Sequence, residues 1–462
     1  MTRPISCTRA AYAYREVKKH MSAKRLEEYK RDLYRCIHCK ACKFSYSDDP
    51  SRKGPGEYKG VLYEGMLKSC PSGINYEWEG YWNAGRVWIA RGLLEGTLKP
   101  SEAVRDAIYP CNTCGNCSVQ CENWIDTVGI IEAVRATLID AGIPLQDKHA
   151  LVKQFTVDNN NPYGKPAEAR MDWAKNDEDL APMLDKEGVN TAYFTGCTAS
   201  YNQTSIATAT TKILKKLGYD FAIRTDEVCC GSPFFRVGEV EFAKGLMNKN
   251  LENFGNYETV IYSCAGCYRT MQVDYKKHTK KDLPFKGVHA MEIVAQAITD
   301  GKITIKSHPD LEGKTFTYHD PCHIGRHIFL ERKKELMEKS KNMFLESRNV
   351  KKIKAEWFGI PRVILNAIAE ANGAKFVEFY RNQEESFCCG AGGGVRSQYP
   401  DFSLKTASLR LDEAEAVGAQ IVTTECPFCW RNLTDANDKF KHGLKVWGIL
   451  EMLDQLDLIE YQ

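Results

Sequence analysis

The sequence lacks several features that would narrow its class at once. It has no apolar run approaching the roughly eighteen residues of a membrane span. Its first residues, MTRPISCTRAAYAYREVKKHM, contain no apolar signal region. It also lacks an excess of charge, because 63 lysines and arginines face 60 aspartates and glutamates, a net charge of +3. We therefore expect a cytoplasmic protein that binds no nucleic acid and has no membrane span, and is peripheral to a membrane only through a partner subunit.

Nucleotide-binding signatures are lacking as well. The glycine-rich stretch Gly390–Gly394, GAGGG, has neither the Gly-Lys-Ser/Thr ending of a phosphate loop nor the spacing of a dinucleotide fingerprint. Glycines that let the backbone crowd a bound group are the simpler interpretation. Nothing in the chain supplies an organic cofactor site.

Cysteine, in contrast, is abundant and patterned. Ten of the nineteen cysteines form two copies of one pattern, a lone Cys, then Cys-Cys-Gly, then Cys-x-x-Cys. Each copy offers five sulfurs, one more than a tetrahedral zinc or an ordinary cubane cluster needs, which favours redox iron over structural zinc. The first copy, called module 1, contains Cys197, Cys229, Cys230, Cys264 and Cys267, and the second copy, module 2, contains Cys322, Cys388, Cys389, Cys426 and Cys429.

Eight of the other nine cysteines also have the spacing of metal ligands. Two Cys-x-x-Cys-x-x-Cys runs resemble halves of the bacterial ferredoxin pattern, in which three closely spaced thiolates and a fourth from the other run hold a [4Fe–4S] cubane. The eight are Cys36, Cys39, Cys42 and Cys70 in the first run, and Cys111, Cys114, Cys117 and Cys121 in the second. Cys7 is left over.

Other uses of these cysteines are less consistent with the chain. A disulfide framework is typical of small secreted proteins, which this sequence does not resemble. Zinc is the remaining alternative, with one ion and a spare thiol in each module and paired zinc knuckles in the first eight cysteines. Both zinc assignments would have to hold together to exclude electron transfer.

The periodicity of the chain predicts a multidomain α/β protein. A mostly helical ferredoxin-type domain, which includes the apolar-periodic stretch 130–141, precedes two repeated units in which short β-rich runs alternate with helices around parallel sheets. We predict an N-terminal arm over 1–30, the ferredoxin-type domain over 31–141, a linker strap over 142–190, and the two cysteine-rich domains over 191–305 and 313–462.

The two cysteine-rich units differ in length at one place. The lone cysteines lie 125 residues apart and the vicinal pairs 159 residues apart, so 34 extra residues lie between Cys322 and Cys388. We assign them to a charged helical segment at about 328–356, either an added surface helix for docking or a solvated charge run without a role.

The cysteine pattern also restricts how its thiols can bind metal. Two adjacent cysteines on a regular strand or helix cannot both face one iron, so a vicinal pair suits different irons of a larger cluster. The glycine that follows permits a positive φ and a close backbone approach. A lone cysteine between a strand and a helix places its sulfur near the positive helix end, which stabilises a thiolate.

Charged residues beside the cysteines are secondary candidates. Arg236 and Arg396 follow the vicinal pairs, and Arg269 and Arg431 follow the last cysteine of each module. They are candidates for neutralising cluster charge or binding an anionic substrate, with ordinary surface arginines as the alternative. His323 and His327 are candidate proton donors, with a hydrogen-bonded structural histidine as the alternative.

Taken together, these motifs resemble the heterodisulfide reductase family. The paired modules look like its cysteine-rich "CCG" domains, and the ferredoxin-type domain before them resembles the order in the D-type chain of that enzyme. The phrases FTGCTASYNQ, CAGCYR and YHDPCHIGRH strengthen the likeness, which runs from about residue 33 to the C-terminus.

The resemblance implies four clusters. Each module would hold a noncubane [4Fe–4S] cluster through its five cysteines, and the ten module cysteines would be the catalytic ones, because these clusters split a disulfide in two one-electron steps. The two cubanes would be held by Cys36, Cys39, Cys42 and Cys121, and by Cys111, Cys114, Cys117 and Cys70. The chain departs from the compact ferredoxin pattern in the 27 residues between Cys42 and Cys70, and Cys121 lacks the usual following proline.

The family leaves several functions open. The first is a disulfide reductase subunit in which cubanes relay electrons to or from the noncubane clusters. The second is an electron relay in a larger anaerobic complex such as class II benzoyl-CoA reductase, without a disulfide substrate. A subunit of a quinone-linked hydroxy-acid dehydrogenase and a redox-inactive metal scaffold are weaker alternatives. In each redox case we expect partner subunits that carry flavin, cytochrome b or tungsten with iron–sulfur clusters.

Overall fold

The computed structural model of the protein describes residues 24–46, 66–340 and 347–462. Cys7 and most of the predicted N-terminal arm lie outside these residues. Within them, no helix combines the length and the apolar character that a membrane crossing requires.

The N-terminal part is mostly helical, as predicted. Short helices alternate with cysteine-bearing loops, and one two-stranded antiparallel ribbon pairs β1 (Phe44–Tyr46) with β2 (Met66–Lys68). A core that includes Leu33, Val87 and Leu138 holds the helices together. The helices up to residue 190 are Lys30–Arg35, Pro71–Tyr76, Asn83–Glu95, Glu102–Ile108, Asn116–Val119, Thr127–Asp140, Asp147–Asn159 and Asp172–Lys175, with 3-10 turns at Ala41–Lys43, Glu79–Tyr81, Ala167–Met171 and Ala181–Met183.

Module 1 is built on a four-stranded parallel sheet. Its two central strands are almost wholly buried, as expected for a parallel sheet with helices on both faces. The strands β3 (Thr191–Phe194), β4 (Ala222–Ile223), β5 (Thr259–Tyr262) and β6 (Lys286–His289) lie in the order β4-β3-β5-β6. The helices are Cys197–Tyr201, Thr204–Lys216, Ser232–Val237, Val240–Phe254, Ala265–Arg269, Lys276–Thr279 and Ala290–Thr299, with a π-helix at Thr270–Tyr275.

Module 2 repeats this topology. Numbered within each module, both sheets have the strand order 2-1-3-4, so the internal repeat seen in the sequence is a repeat of the fold. The strands β8 (Thr315–Tyr318), β9 (Lys375–Phe376), β10 (Ile421–Thr424) and β11 (Lys445–Gly448) are all parallel. The helices are Ile328–Ser340, Ser347–Ala371, Val395–Gln398, Pro400–Ala416, Pro427–Phe440 and Ile449–Gln455, with a π-helix at His323–His327 and a 3-10 turn at Gln383–Glu385.

The two modules share one hydrophobic core. Tyr193 of module 1 and Phe316 of module 2 belong to the same cluster of buried side chains. An antiparallel pair closes the assembly, because the C-terminal strand β12 (Ile459–Tyr461) pairs with β7 (Ile303–Ile305) in the connection between the modules. The modules therefore pack as one body, and this confirms the predicted α/β class with parallel sheets.

The inserted segment of module 2 is helical and only partly solvated. Its first helix begins with the buried residues Ile328 and Phe329, and the helix Ser347–Ala371 continues past the segment to the buried Trp357. The Trp357 indole N–H donates to the Ile324 carbonyl, close to the lone cysteine of the module. The insertion thus covers the boundary between the two modules, where its apolar side chains exclude water.

Candidate metal centres

The first group of thiols forms where the chain leaves the helix Lys30–Arg35. His38 and Lys40 adopt left-handed backbone conformations, with φ of 57° and 67°, which curl the loop around its cysteines. The cysteines Cys36, Cys39, Cys42 and Cys121 interact electrostatically with one another. Burial raises the pKa of the Cys42 thiol to about 12, whereas Cys39 is exposed to solvent.

The second group of thiols lines one cavity. Its walls include Cys70, Cys111, Cys114 and Cys117, which come from two segments of the chain. The Thr113 backbone N–H lies 3.4 Å from the Cys111 sulfur, and the Thr127 hydroxyl lies 2.9 Å from the Cys117 sulfur. Hydrogen bonds of this kind stabilise bound thiolates.

These eight thiols therefore form two groups of four. Cys70, which follows β2, lies with the second run of cysteines. Cys121, which follows the helix Asn116–Val119, lies with the first run. The two groups adjoin, because Cys42 interacts with both Cys70 and Cys117. Four soft thiolates per group suit an iron–sulfur cubane.

In module 1 the five thiols form a continuous chain of hydrogen bonds. They lie at the carboxyl end of the parallel sheet, where ligands collect in open α/β folds. The order of contacts is Cys197, Cys229, Cys230, Cys267 and Cys264. Gly196 helps to close the group, because a Cβ there would lie 3.0 Å from the Cys267 sulfur.

In module 2 the thiols gather at the same place in the sheet. Cys388, Cys389, Cys429 and Cys426 are joined by successive hydrogen bonds, and Cys322 interacts with this group electrostatically. The backbone of both vicinal pairs is irregular, and Gly231 and Gly390 follow with φ of 83° and 87°. The positive φ predicted from the Cys-Cys-Gly sequence is confirmed.

The central thiol of each module favours its charged form. Neighbouring thiols donate to Cys230 and lower its pKa to about 6, and in the same way they lower the pKa of Cys389 well below its ordinary value. Burial raises the pKa of Cys322 instead. Among the described residues, all eighteen cysteines are free of disulfide bonds, so every predicted ligand remains a thiol.

One contact joins the N-terminal thiols to module 2. The Cys114 and Cys388 thiols hydrogen-bond to each other, and this bond lowers the pKa of Cys114 to about 6. Arg326 of module 2 supports the contact by donating to the Cys114 carbonyl at 2.8 Å. The second N-terminal group therefore abuts module 2, a proximity that sequence spacing could not reveal.

The glycine-rich stretch forms the other side of this contact. A Cβ at Gly392 would lie 2.7 Å from the Asn112 carbonyl oxygen, and one at Gly393 would lie 2.4 Å from the Cys111 carbonyl oxygen. Asn112 also donates to the Gly390 carbonyl at 2.7 Å. The glycines allow the loop to pack against the ferredoxin-type backbone, which is a more specific reason for them than the predicted crowding of a cluster.

The arginines that follow the cysteines are paired with carboxylates. Arg236 and Arg269 are buried and share Asp274. Arg396 bonds to Asn432 and Asp435. Arg236 and Arg269 are therefore not ordinary surface residues, and their charge is largely neutralised within the protein.

The fourth arginine differs from the other three. Arg431 is about two-fifths exposed and lies 4.0 Å from Asp435, a carboxylate that Arg396 already contacts more closely. It is thus the least neutralised member of the predicted set.

The two predicted histidines lie together between the modules. Their rings are 5.0 Å apart in an edge-to-face arrangement; His327 is buried and His323 is half-buried. Neither Nε2 atom has a hydrogen-bond partner within the described residues. Burial lowers the pKa of His323 to about 3 and that of His327 well below its ordinary range, so both are neutral.

Two further residues contact module thiols and were not anticipated. Arg170, in the predicted linker strap, lies 3.5 Å from the Cys197 sulfur and donates to Glu227 at 2.8 Å. His319 hydrogen-bonds to Cys389 and accepts from Arg410 at 3.2 Å. Arg170 carries no motif, whereas His319 is visible in the sequence as the residue that follows the TFTY strand.

Known families match the same parts of the chain. A cysteine-rich domain family, CCG, matches residues 191–272 and 361–434, and a 4Fe-4S dicluster domain family matches residues 32–125. The dicluster match and the cysteine-rich matches support iron–sulfur clusters in this chain. They also support the coarse assignment of the chain as an iron–sulfur oxidoreductase.

Characterised relatives point the same way. The chain is 34% identical, over 81% of its own length and 85% of the relative's, to the D-type chain of the dihydromethanophenazine:CoB–CoM heterodisulfide reductase of Methanosarcina barkeri. It is 36% identical to the same chain of the Methanosarcina acetivorans enzyme, over 82% and 85% of the two lengths. It is also 28% identical to one subunit of the fumarate reductase (CoM/CoB) of Methanothermobacter marburgensis, over 76% and 62%.

Proposed function

Because this chain belongs to the family of D-type heterodisulfide reductase chains, we propose that it is the subunit that reduces a disulfide, using electrons relayed by its ferredoxin-type clusters. The observation that carries this proposal is the presence of two complete five-thiol groups at equivalent positions of two joined modules. The proposal treats both modules as parts of one site.

The ligand sets follow from the thiol groups. Two [4Fe–4S] cubanes would be held by the N-terminal groups, and a noncubane [4Fe–4S] cluster by each module. The first cubane set is Cys36, Cys39, Cys42 and Cys121, and the second is Cys70, Cys111, Cys114 and Cys117. Each module would use its five cysteines. Bound in these sets, the clusters would supply transfers of single electrons.

The protein's own residues provide the surroundings for that chemistry. The buried sites shield the thiolates from water, and Arg170 and His319 place hydrogen-bond donors beside one thiol of each module. The boundary between the modules, covered by the inserted helix Ser347–Ala371, is where we place the reacting disulfide. The S–S bond accepts two electrons from a partner protein and two protons from solvent, and two thiols leave.

The place where electrons enter the modules is also inferred from a contact. The hydrogen bond between Cys114 and Cys388 supports electron entry at module 2, because it brings ligands of two neighbouring sites together. In contrast, the thiols of module 1 contact Arg170 of the linker strap. We therefore assign module 2 to receive electrons before module 1.

A second candidate function is that of an electron relay without a disulfide substrate. One relative is a subunit of a fumarate reductase, and this likeness supports the use of similar modules in an enzyme whose name specifies another acceptor. The relay would use the same four ligand sets and the same partners. It differs from the first candidate only in the chemistry at the module boundary.

The test is a metal analysis followed by a titration. Iron and acid-labile sulfide are measured on anaerobically purified protein, and EPR spectra are recorded during titration with a mixed thiol–disulfide pair. We expect about sixteen irons per chain, from four clusters of four, and a paramagnetic signal that depends on the thiol. The same iron without that signal would favour the relay, and zinc in place of iron would refute both.

A further inference from the structure

An exposed aromatic face surrounds the outermost thiol group. It consists of four large apolar residues whose side chains are unusually open to solvent. They are Tyr34, 49% exposed, Ile37, 74% exposed, Trp78, 77% exposed, and Trp88, 46% exposed. Soluble proteins rarely leave such residues clustered on the surface unless another molecule covers them.

Side-chain contacts join Tyr34 and Trp88, while Ile37 and Trp78 are chain neighbours of the contacting residues His38 and Glu79. The ring of His38 stacks on Trp88, with centroids 5.3 Å apart, and His38 also bonds to Glu79, the residue after Trp78. The Arg91 guanidinium lies over both Tyr34 and Trp88, at 4.5 Å and 5.4 Å from the ring centroids. The aromatic face is therefore held in place by its own contacts.

The aromatic face also contains an exposed cluster ligand. Cys39 follows His38 and is the exposed cysteine of the eighteen that the structure describes. The other seventeen are buried or half-buried. Since electron transfer between proteins needs a close approach, this thiol group offers an outside partner the most direct access.

The rim of the aromatic face is positively charged. Residues 30–43 contain five lysines and arginines but one aspartate. Of the neighbouring carboxylates, Glu79 contacts Lys43 at 2.6 Å and Glu95 contacts Arg91 at 2.8 Å, whereas Glu77, next to Trp78, is exposed. A partner that covers the face would gain from carboxylates on its own rim.

We infer that the aromatic face docks an electron-carrying protein whose contact surface has an apolar centre and an acidic rim. This inference rests on the proposed function of the first thiol group as a cluster site. Each docking event delivers one electron, so that two events supply the two electrons that a disulfide accepts. The aromatic side chains provide the buried centre of the interface and the basic rim steers the partner towards it.

The experiment compares two electron donors. A small acidic ferredoxin, reduced before use, is the protein probe, and reduced methyl viologen is a dye that needs no docking. Trp78→Glu places a charge on the most exposed side chain of the aromatic face. Phe440→Glu is the matched control, because Phe440 is an aromatic residue 40% exposed on module 2, outside the aromatic face.

The measured reaction is disulfide reduction. We expect Trp78→Glu to raise the KM for ferredoxin at least about tenfold, as loss of an interface aromatic can. The rate driven by the dye should stay unchanged. Phe440→Glu should alter neither the ferredoxin KM nor the dye-driven rate. Raising ionic strength from about 50 mM to about 200 mM should raise the ferredoxin KM of the unaltered chain.

Several outcomes would overturn the inference. An unchanged ferredoxin KM for Trp78→Glu would show that the partner docks elsewhere. Self-association abolished by Trp78→Glu would assign the face to a second copy of the chain, and binding to anionic phosphatidylserine vesicles abolished by that variant would assign it to lipid. A dye-driven rate of zero in the unaltered chain would instead count against the proposed function.

Discussion

The two modules have the same topology and the same five thiols but different neighbours. In module 1 the lone cysteine, Cys197, faces a buried arginine from the preceding segment, Arg170. In module 2 the vicinal cysteine Cys388 faces Cys114 of the ferredoxin-type domain. The repeat thus reproduces the five thiols, whereas the neighbours of each copy differ.

The residues after the vicinal pairs show how the difference arose. Module 1 has Phe234 and Phe235, which are buried in its own core. At the equivalent positions module 2 has Gly393 and Gly394, which leave room for the ferredoxin-type backbone and for His149. The smaller side-chain volume at these positions of module 2 therefore permits its contact with the ferredoxin-type domain.

Removal of a central ligand in each module should have the largest effect. We expect Cys230→Ser and Cys389→Ser each to lose about four of about sixteen irons. Without Cys389, module 1 should no longer be reduced by a protein donor, because we propose that electrons enter at module 2. Without Cys230, module 2 should still be reduced.

Iron analysis and EPR after reduction by ferredoxin measure this difference. Cys7→Ser is the control, since Cys7 has no predicted ligand role, and it should retain all its iron. Equal EPR behaviour of the Cys230 and Cys389 variants would contradict the order of the modules.

Loss of the arginine beside module 1 should be the next largest effect. Arg170→Met leaves the buried Glu227 carboxylate without its charged partner, so we expect a loss of about 3–5 kcal/mol in the free energy of unfolding. Burial already raises the pKa of Glu227 to about 7 despite Arg170. Anaerobic urea unfolding provides the measurement.

Two control variants sharpen this test. Arg170→Met combined with Glu227→Gln should recover part of the stability, because no charge then remains unpaired. Lys439→Met breaks an exposed pair with Asp401 and should change stability by about 1 kcal/mol or less. Equal losses for Arg170→Met and Lys439→Met would refute the buried-pair argument.

The glycine loop of module 2 should be sensitive to a single methyl group. Gly393→Ala adds a Cβ 2.4 Å from the Cys111 carbonyl oxygen, whereas Gly443→Ala meets no atom within 4 Å, although both glycines have a positive φ. We expect about 1–2 kcal/mol of conformational strain in either variant and about 1–3 kcal/mol of additional overpacking in Gly393→Ala.

Denaturant unfolding measures the free energy of unfolding of each variant. The rate at which a protein donor reduces module 2 tests the contact of the glycine loop with the ferredoxin-type domain. Gly393→Ala should keep its full iron content while electron transfer into module 2 slows. If the two alanine variants are equally stable and equally fast, the loop does not need its glycines for docking.

The smallest effect concerns the histidine beside module 2. Arg410 donates to His319 Nδ1, so the proton of a neutral His319 is on Nε2, where it can donate to Cys389. The bond from His319 to Cys389 stabilises the more negative, reduced state of the cluster proposed in module 2. We expect His319→Leu to lower the reduction potential of module 2 by roughly 40 mV, equivalent to about 1 kcal/mol for one electron.

Redox titration followed by EPR checks the shift. Thr195→Val in module 1, where the residue after the equivalent strand is a threonine, is the matched control and should leave the potential of module 2 unchanged. A shift of equal size in both variants would mean that His319 acts through general packing and not through its bond to Cys389.

Much of the fold was predictable from local pattern. The strand before each lone cysteine, the helix after it and the positive φ of Gly231 and Gly390 all follow from residue type and spacing within short segments. The parallel sheets follow because apolar strands alternate with helices. The helical insertion between Cys322 and Cys388 was visible as a difference in spacing.

Other features depend on segments far apart in the chain. The approach of Cys114 to Cys388, the position of Arg170 beside Cys197 and the joining of Tyr34 with Trp78 and Trp88 in one face have no local signature. They exist because helices and loops from separate regions pack against a common body.

By itself, the sequence determined the thiol inventory, the repeat and the α/β class, since covalent spacing and side-chain periodicity act over a few residues. The tertiary structure alone decided which thiol groups adjoin, which arginines are neutralised and which thiol faces solvent. Those properties depend on burial and on contacts between distant segments, and only packing in three dimensions sets them.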